Sequence, residues 1–89
     1  GITVGDNEVI DIVAVSCSNS GGAPVEVSIR IGDVVLINTV VDPISGLTSA
    51  DLGALLPITL SKGLSLKFIV TVGTASDFKA KVAHQYRSI

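Results

Sequence analysis

Two successive segments, residues 64–72 and 78–86, alternate between apolar and mostly polar side chains, and this two-residue period is typical of half-buried β-strands. The positions on the apolar side are Leu64, Leu66, Phe68, Val70 and Val72, then Phe78, Ala80, Val82, His84 and Tyr86. Residues 73–77 predict a loop, so we predict a β-hairpin that pairs Val72 with Phe78. Its inner face would form the core, and its outer face would bring together Lys67, Lys79 and Lys81.

The composition favours strands in the rest of the chain as well. Val, Ile and Thr supply 29 of the 89 residues, and β-branched side chains suit a pleated sheet better than a helix. A chain of this length has the size of one small domain. We predict an all-β fold, a single antiparallel β-sandwich of about seven or eight strands with jelly-roll or immunoglobulin-like topology. It would span residues 9–89 and follow an N-terminal arm or edge strand at residues 1–8.

Two earlier segments, residues 9–17 and 34–41, carry more apolar residues than one buried face requires. Residues 9–17 are apolar on both sides of a strand apart from Asp11, so we expect both faces of this strand to be covered. Residues 25–31 alternate cleanly, and Gly32-Asp33 predicts a two-residue turn that pairs Ile31 with Val34. In that register the inner face continues through Val34, Leu36 and Val40, while the outer face carries Val35, Ile37 and Val41. These three β-branched residues should be covered by the next connection or by another subunit.

The connection at residues 42–56 permits two interpretations. Thr48 and Asp51 have the spacing of a capping box before Leu52, which predicts at most one short helical turn near residues 49–55, ended by Pro57. The alternative is a short strand that crosses between sheets. Residues 57–60 then predict another short strand.

Charge and hydropathy exclude several classes of function. The net charge is -2, with seven acids and only Arg30 in residues 1–60 but five bases and only Asp77 in residues 61–89. The bases are not interleaved with exposed aromatic residues, so we predict no nucleic-acid binding. No apolar run reaches about 18 residues, so we predict no membrane span. Opposite charges on separate segments suit contacts between copies of the chain.

Few residues offer catalytic or metal-binding chemistry. His84 is the only histidine and lies on the apolar side of its strand, which favours a structural role over a ligand or a catalytic base. Cys17 is the only cysteine, so a disulfide within the chain is impossible, and its strand predicts a buried thiol. No nucleophile elbow or metal-ligand spacing is present. We therefore predict a protein that is not an enzyme and has no cofactor or metal.

Three short motifs support a resemblance. They are Asn19-Ser20-Gly21 after the first strand, Val25-Glu26-Val27 at the start of the second, and residues 60–66, LSKGLSL, before the final strands. In this order, over nearly all of residues 8–89, the chain resembles a group of small bacteriophage virion β-sandwich proteins. The resemblance implies a non-enzymatic structural role in a phage particle, as a capsid decoration (cement) subunit or as a neck, tail or fibre subunit.

These observations together give one functional hypothesis and one rival. We expect a virion protein that forms a homo-oligomer around Val35, Ile37 and Val41, and that turns Lys67, Lys79 and Lys81 toward an acidic surface. Its partners would be its own copies and the major capsid protein or other virion proteins. The rival is a glycan-binding or adhesive β-sandwich module, in which Tyr86 is the one residue suited to stacking on a sugar.

Overall fold

The computed structural model describes residues 4–89 and folds most of them into β-strands. The strands are β1 (Glu8–Asn19), β2 (Val25–Ile31), β3 (Val34–Val41), β4 (Ile58–Leu60), β5 (Leu66–Val72) and β6 (Phe78–Ser88). The short helix α1 (Ser49–Leu52) continues into a 3-10 turn (Gly53–Leu55), and a second 3-10 turn (Ala75–Asp77) precedes β6.

The strands form two antiparallel sheets of three strands each. The β1 sheet has the order β4-β1-β6, and the β2 sheet has the order β3-β2-β5. The all-β class predicted from composition is confirmed. The described residues contain six strands instead of the expected seven or eight, because the long connection after β3 is largely turn and helix and residues 4–7 form no strand.

The predicted hairpin of residues 64–86 is wrong, since its two strands lie in different sheets. β5 pairs with β2, whereas β6 pairs with β1 along its whole length, from Glu8 opposite Ser88 to Asn19 opposite Phe78. Alternation predicts which face of a strand is apolar but contains no information about its partner strand. The connection between β5 and β6 crosses from one sheet to the other, so Lys67 is separated from Lys79 and Lys81.

Both sheets contribute to one hydrophobic core. Its buried members are Val4, Ile10, Ile12, Val15, Cys17, Val25, Val27, Ile29, Val41, Leu47, Leu52, Ile58 and Leu60. Phe68 of β5 and Phe78 of β6 pack against this cluster with their ring centroids 6.1 Å apart. On β6, however, Ala80, His84 and Tyr86 are exposed, so this strand contributes less to the core than its alternation predicted.

The N-terminal segment and β1 differ in detail from their predictions. Residues 1–3 of the predicted arm lie outside the described residues, but Val4 is buried in the core. β1 is buried at Ile10, Ile12 and Val15 as expected, yet its pairing with β6 shifts between Ile12 and Ala14. Val13 lies at this irregularity and is 40% exposed, so β1 is not covered on both faces throughout.

The β2–β3 hairpin confirms the predicted turn and corrects the predicted faces. Gly32 has φ 56°, the left-handed conformation that glycine adopts at low cost, and Ile31 lies opposite Val34. A β-bulge then shifts the register, so that Ile29 lies opposite Ile37. One extra residue turns every later side chain of β3 to the other face. Ile37 therefore packs against the core and Val41 is fully buried, instead of both facing outward.

The connection after β3 adopts the helical alternative. The Asp51 carboxylate accepts a hydrogen bond from the Thr48 backbone N–H at 2.8 Å, as the predicted capping box requires. Leu52 anchors the helix in the core. The hydroxyl of Ser49 bonds both the N–H and the C=O of Val15, at 2.9 and 3.0 Å, so the helix also occupies backbone groups of β1 near its irregularity.

Candidate interaction surface

The candidate functional site is the outer face of the β2 sheet, the side turned away from the core. The strand register places its side chains in three rows, each read from β3 across β2 to β5. The rows are Val40, Glu26 and Val72; Asn38, Ser28 and Ile69; and Val35, Arg30 and Lys67. Because side chains alternate along a strand, these nine residues share the face opposite to the buried Val25, Val27 and Ile29.

Large apolar side chains on this outer face are open to solvent. Val35 is 45% exposed, Val40 48%, Ile69 38% and Val72 55%. They belong to all three rows and flank the polar side chains of the central strand on both sides. A sheet face that exposes four large apolar side chains is a candidate for binding another molecule.

The charged residues of the outer face are unevenly distributed along it. Glu26 lies in one end row, while Arg30 and Lys67 share the opposite end row. The ion pairs within the described chain join Lys62 to Asp6 and Arg87 to Asp11, so the charges of the outer face have no ion-pair partner there. Arg30 donates from Nε to the Ser28 hydroxyl at 2.9 Å. This bond holds the guanidinium against the centre of the face, where Ser28 itself is buried.

The six residues predicted for an interface lie in three separate parts of the fold. Val35 and Lys67 lie on the outer face of the β2 sheet. Ile37 and Val41 lie on its core side because of the β3 bulge, so their predicted outward position is wrong. Lys79 and Lys81 lie on β6 opposite Ser18 and Ser16, in the other sheet.

Sequence reasoning missed three apolar members of the outer face, Val40, Ile69 and Val72. The signal for Ile69 was present, because it is an apolar residue at an outward position of an alternating strand. Val72 was assigned to the inner side of its strand. The pairing of β2 with β5 shifts between Glu26 and Val27, which turns Val72 outward. Val40 was likewise turned outward by the bulge in β3.

A polar cluster occupies the outer side of the β1 sheet. The Asp11 carboxylate accepts bonds from Arg87 Nε at 2.9 Å, from another Arg87 nitrogen at 3.2 Å and from the Thr59 hydroxyl at 2.7 Å. The bonds from Arg87, followed by the bond from Thr59, lower the pKa of Asp11 below its usual value. The cluster joins β1 to β4 and β6 through hydrogen bonds among Asp11, Thr59 and Arg87.

Two aromatic side chains of β6, His84 and Tyr86, lie apart from the outer face of the β2 sheet, and so does the Cys17 thiol. His84 and Tyr86 contact each other on β6 edge to face, with ring centroids 5.6 Å apart and an interplanar angle of 79°. Burial raises the pKa of the Cys17 thiol to about 11, which keeps the thiol protonated. Among residues 4–89, no group of three or more His, Cys, Asp or Glu side chains is arranged to hold a metal ion.

The chain was also compared with known proteins. No protein-family model, curated protein or solved structure matches it. Within the described residues, no helix combines the length and apolar character needed to cross a membrane.

Proposed function

We propose that this chain is a non-enzymatic structural protein of a bacteriophage virion, a decoration subunit that binds the capsid shell and its own copies. The observation that carries the proposal is the outer face of the β2 sheet, with its uncovered Val35, Val40, Ile69 and Val72. A subunit that is repeated on a particle has copies or a shell available to cover such a face. The resemblance of its three short motifs to those of small virion β-sandwich proteins favours the same role.

The architecture is consistent with this proposal. We interpret the two sheets as the layers of a single β-sandwich, because residues of both contribute to one core. Small domains of this kind have limited cores, and association with a partner is a common additional source of their stability. A decoration subunit would gain that stability on the particle.

The proposal is tested by mass and by particle binding. We expect the purified chain to self-associate as its concentration is raised, and to cosediment with assembled capsids of the phage that encodes it. Val72→Asp places a charge on the outer face and should reduce cosedimentation. The matched control is Ile44→Asp, which changes a fully exposed residue of the loop after β3. A monodisperse monomer without affinity for capsids would contradict the proposal.

The position within the virion is tested by stoichiometry. A decoration subunit should occur in a copy number comparable to that of the major capsid protein, as measured by quantitative mass spectrometry of purified particles. A few copies per particle would instead indicate a neck, tail or fibre subunit.

A glycan-binding module is the second candidate, and the exposed pair of His84 and Tyr86 favours it. Tyr86 is 54% exposed on β6 and its ring is in contact with His84, so it presents an aromatic surface of the kind on which a sugar ring stacks. Binding on a glycan array that is lost in Tyr86→Ala would support this function. An array without hits would exclude it for the glycans tested.

A further inference from the structure

We propose that a second copy of this chain covers the outer face of the β2 sheet, stacked face to face on a two-fold axis that runs across the strands. This inference rests on the self-association in the proposed function, and it names the surface and the symmetry. A face that pairs with itself must be self-complementary, because every contact between two different residues occurs twice.

The outer face meets this requirement through its charges. Glu26 and Arg30 are four residues apart on the central strand, about 13 Å at the usual rise per residue. The neighbours of Glu26 in its row are Val40 and Val72, whereas Lys67 lies beside Arg30. One end of the face is therefore acidic, whereas the basic part extends from the Arg30 row to the middle row, where Arg30 Nε donates to Ser28.

These charges distinguish the two axes that keep the strands of both copies aligned, one along the strands and one across them. An axis along the strands would place Glu26 over Glu26 of the second copy and Arg30 over Arg30. An axis across the strands exchanges the end rows, so each Glu26 faces Arg30 of the second copy. Like charges in apposition are costly at an interface that excludes water. The axis across the strands is therefore the favoured one.

The apolar residues fit the same axis. The middle row lies on the axis, so Ile69 meets Ile69 of the second copy beside the small Ser28. Val40 then lies over Val35, and Val72 lies over the aliphatic stem of Lys67, whose ammonium group can remain in solvent. The side chains that are exposed in the single chain thus cover one another in the pair.

The size of the face determines the strength of the contact. Three strands spaced about 4.8 Å apart, over about six residues each, give a face of about 300 Å². Two such faces bury roughly 600–900 Å² in total, less than the roughly 1,200–2,000 Å² of a stable interface. We therefore expect a concentration-dependent equilibrium between monomer and dimer. Attachment of many copies to one particle would strengthen it through effective concentration.

Charge reversal tests the pairing directly by sedimentation over a range of concentrations. Glu26→Arg and Arg30→Glu should each weaken dimer formation by about tenfold or more, because each creates two like-charge contacts. An equimolar mixture of the two variants should restore association as a heterodimer. The double variant, Glu26→Arg with Arg30→Glu, should associate like the wild type. Failure of the mixture to associate would overturn the inference.

A neutral substitution distinguishes the axes. Glu26→Ala should weaken the dimer if Glu26 faces Arg30 of the second copy, and should strengthen it if Glu26 faces itself. Ile69→Asp, which would bring two carboxylates together on the axis, should abolish the dimer, whereas Ile44→Asp, outside the face, should leave it unchanged. Circular dichroism verifies that each variant is folded. A tighter Glu26→Ala dimer, or a wild type that stays monomeric at millimolar concentration, would contradict the inference.

Capsid cosedimentation separates this inference from the proposed function. If the wild type binds capsids but does not dimerise, the decoration role is kept and the paired face is rejected. If the charge variants associate as predicted but the protein does not bind capsids, the paired face is supported and the decoration role is rejected.

Discussion

Asn19 joins three segments of the chain, and its removal gives a prediction of measurable size. Its side chain is 5% exposed at the end of β1. The amide nitrogen donates to the carbonyls of Ala23 at 2.8 Å and Val41 at 3.0 Å, and the amide oxygen accepts a bond from the Gly21 N–H at 2.9 Å. Asn19 therefore fixes the loop after β1 and attaches it to the end of β3 in the other sheet.

Asn19→Ala removes all three bonds. A hydrogen bond contributes about 0.5–1.5 kcal/mol net, and a buried polar group left without a partner costs about 1–3 kcal/mol. The bond to Val41 is buried, whereas those to Ala23 and Gly21 are partly accessible to water. We expect a loss of about 2–4 kcal/mol in the free energy of unfolding, a large fraction of the roughly 4–13 kcal/mol available to a domain of this size.

Urea denaturation followed by far-ultraviolet circular dichroism measures this loss. The slope of the free energy of unfolding against urea concentration detects any change in two-state behaviour. Asn7→Ala is the matched control, because Asn7 is exposed. An exposed substitution should change stability by less than about 0.5 kcal/mol. A loss below about 1 kcal/mol for Asn19→Ala would refute the reasoning, because the buried carbonyl of Val41 would then have another partner.

Three further predictions concern other parts of the fold. Gly46 has φ 61°, and a Cβ added there would lie 2.6 Å from the Cys17 carbonyl oxygen. Gly46→Ala should therefore lower the urea midpoint of unfolding, because it strains the backbone and disrupts the adjacent bridge between Cys17 and Leu47. Because the pKa of Asp11 is lowered in the folded state, its contribution to stability is present above the unfolded pKa of about 3.9 and is lost as the pH falls through the folded value. Arg87→Gln should thus be less stable than the wild type at pH 7, and this difference should shrink below about pH 4. The thiol of Cys17, buried and with its pKa raised to about 11, should react with a thiol reagent at pH 8 only when the chain is unfolded by urea.

Each of these predictions has an outcome that contradicts it. A Gly46→Ala variant with an unchanged midpoint would show that the backbone moves away from Cys17 at little cost. A stability difference for Arg87→Gln that stays constant from pH 7 to pH 3 would assign the effect of Arg87 to packing instead of charge. Rapid native labelling of Cys17 would show that β1 opens locally.

Local signals in the sequence were sufficient for several elements. The alternation of Val25, Val27 and Ile29 predicted the buried side of β2, and all three are buried. Gly32 predicted the turn after β2, and the spacing of Thr48 and Asp51 indicated helix α1 as one of two interpretations of its segment. In each case, the determining interaction lies within a few residues of the signal.

The remainder depended on contacts between distant residues. Nothing in the alternation of β5 and β6 distinguishes a hairpin from two strands in separate sheets. The bulge in β3 has no glycine or proline to mark it, yet it exchanges the faces of Ile37 and Val40. As a result, only Val35 and Lys67 of the predicted interface lie on the outer face of the β2 sheet.

The pairing of β1 with β6 also determines when this protein can fold. β1 is the central strand of its sheet, and its other neighbour, β4, covers only Ile10 to Ile12. Ile89 donates from its N–H to the Asn7 carbonyl at 3.1 Å, so residues far apart in the sequence are in contact. Contacts between such distant residues form slowly. During synthesis, most of β1 therefore has no partner strand until β6, which begins at Phe78, has been made.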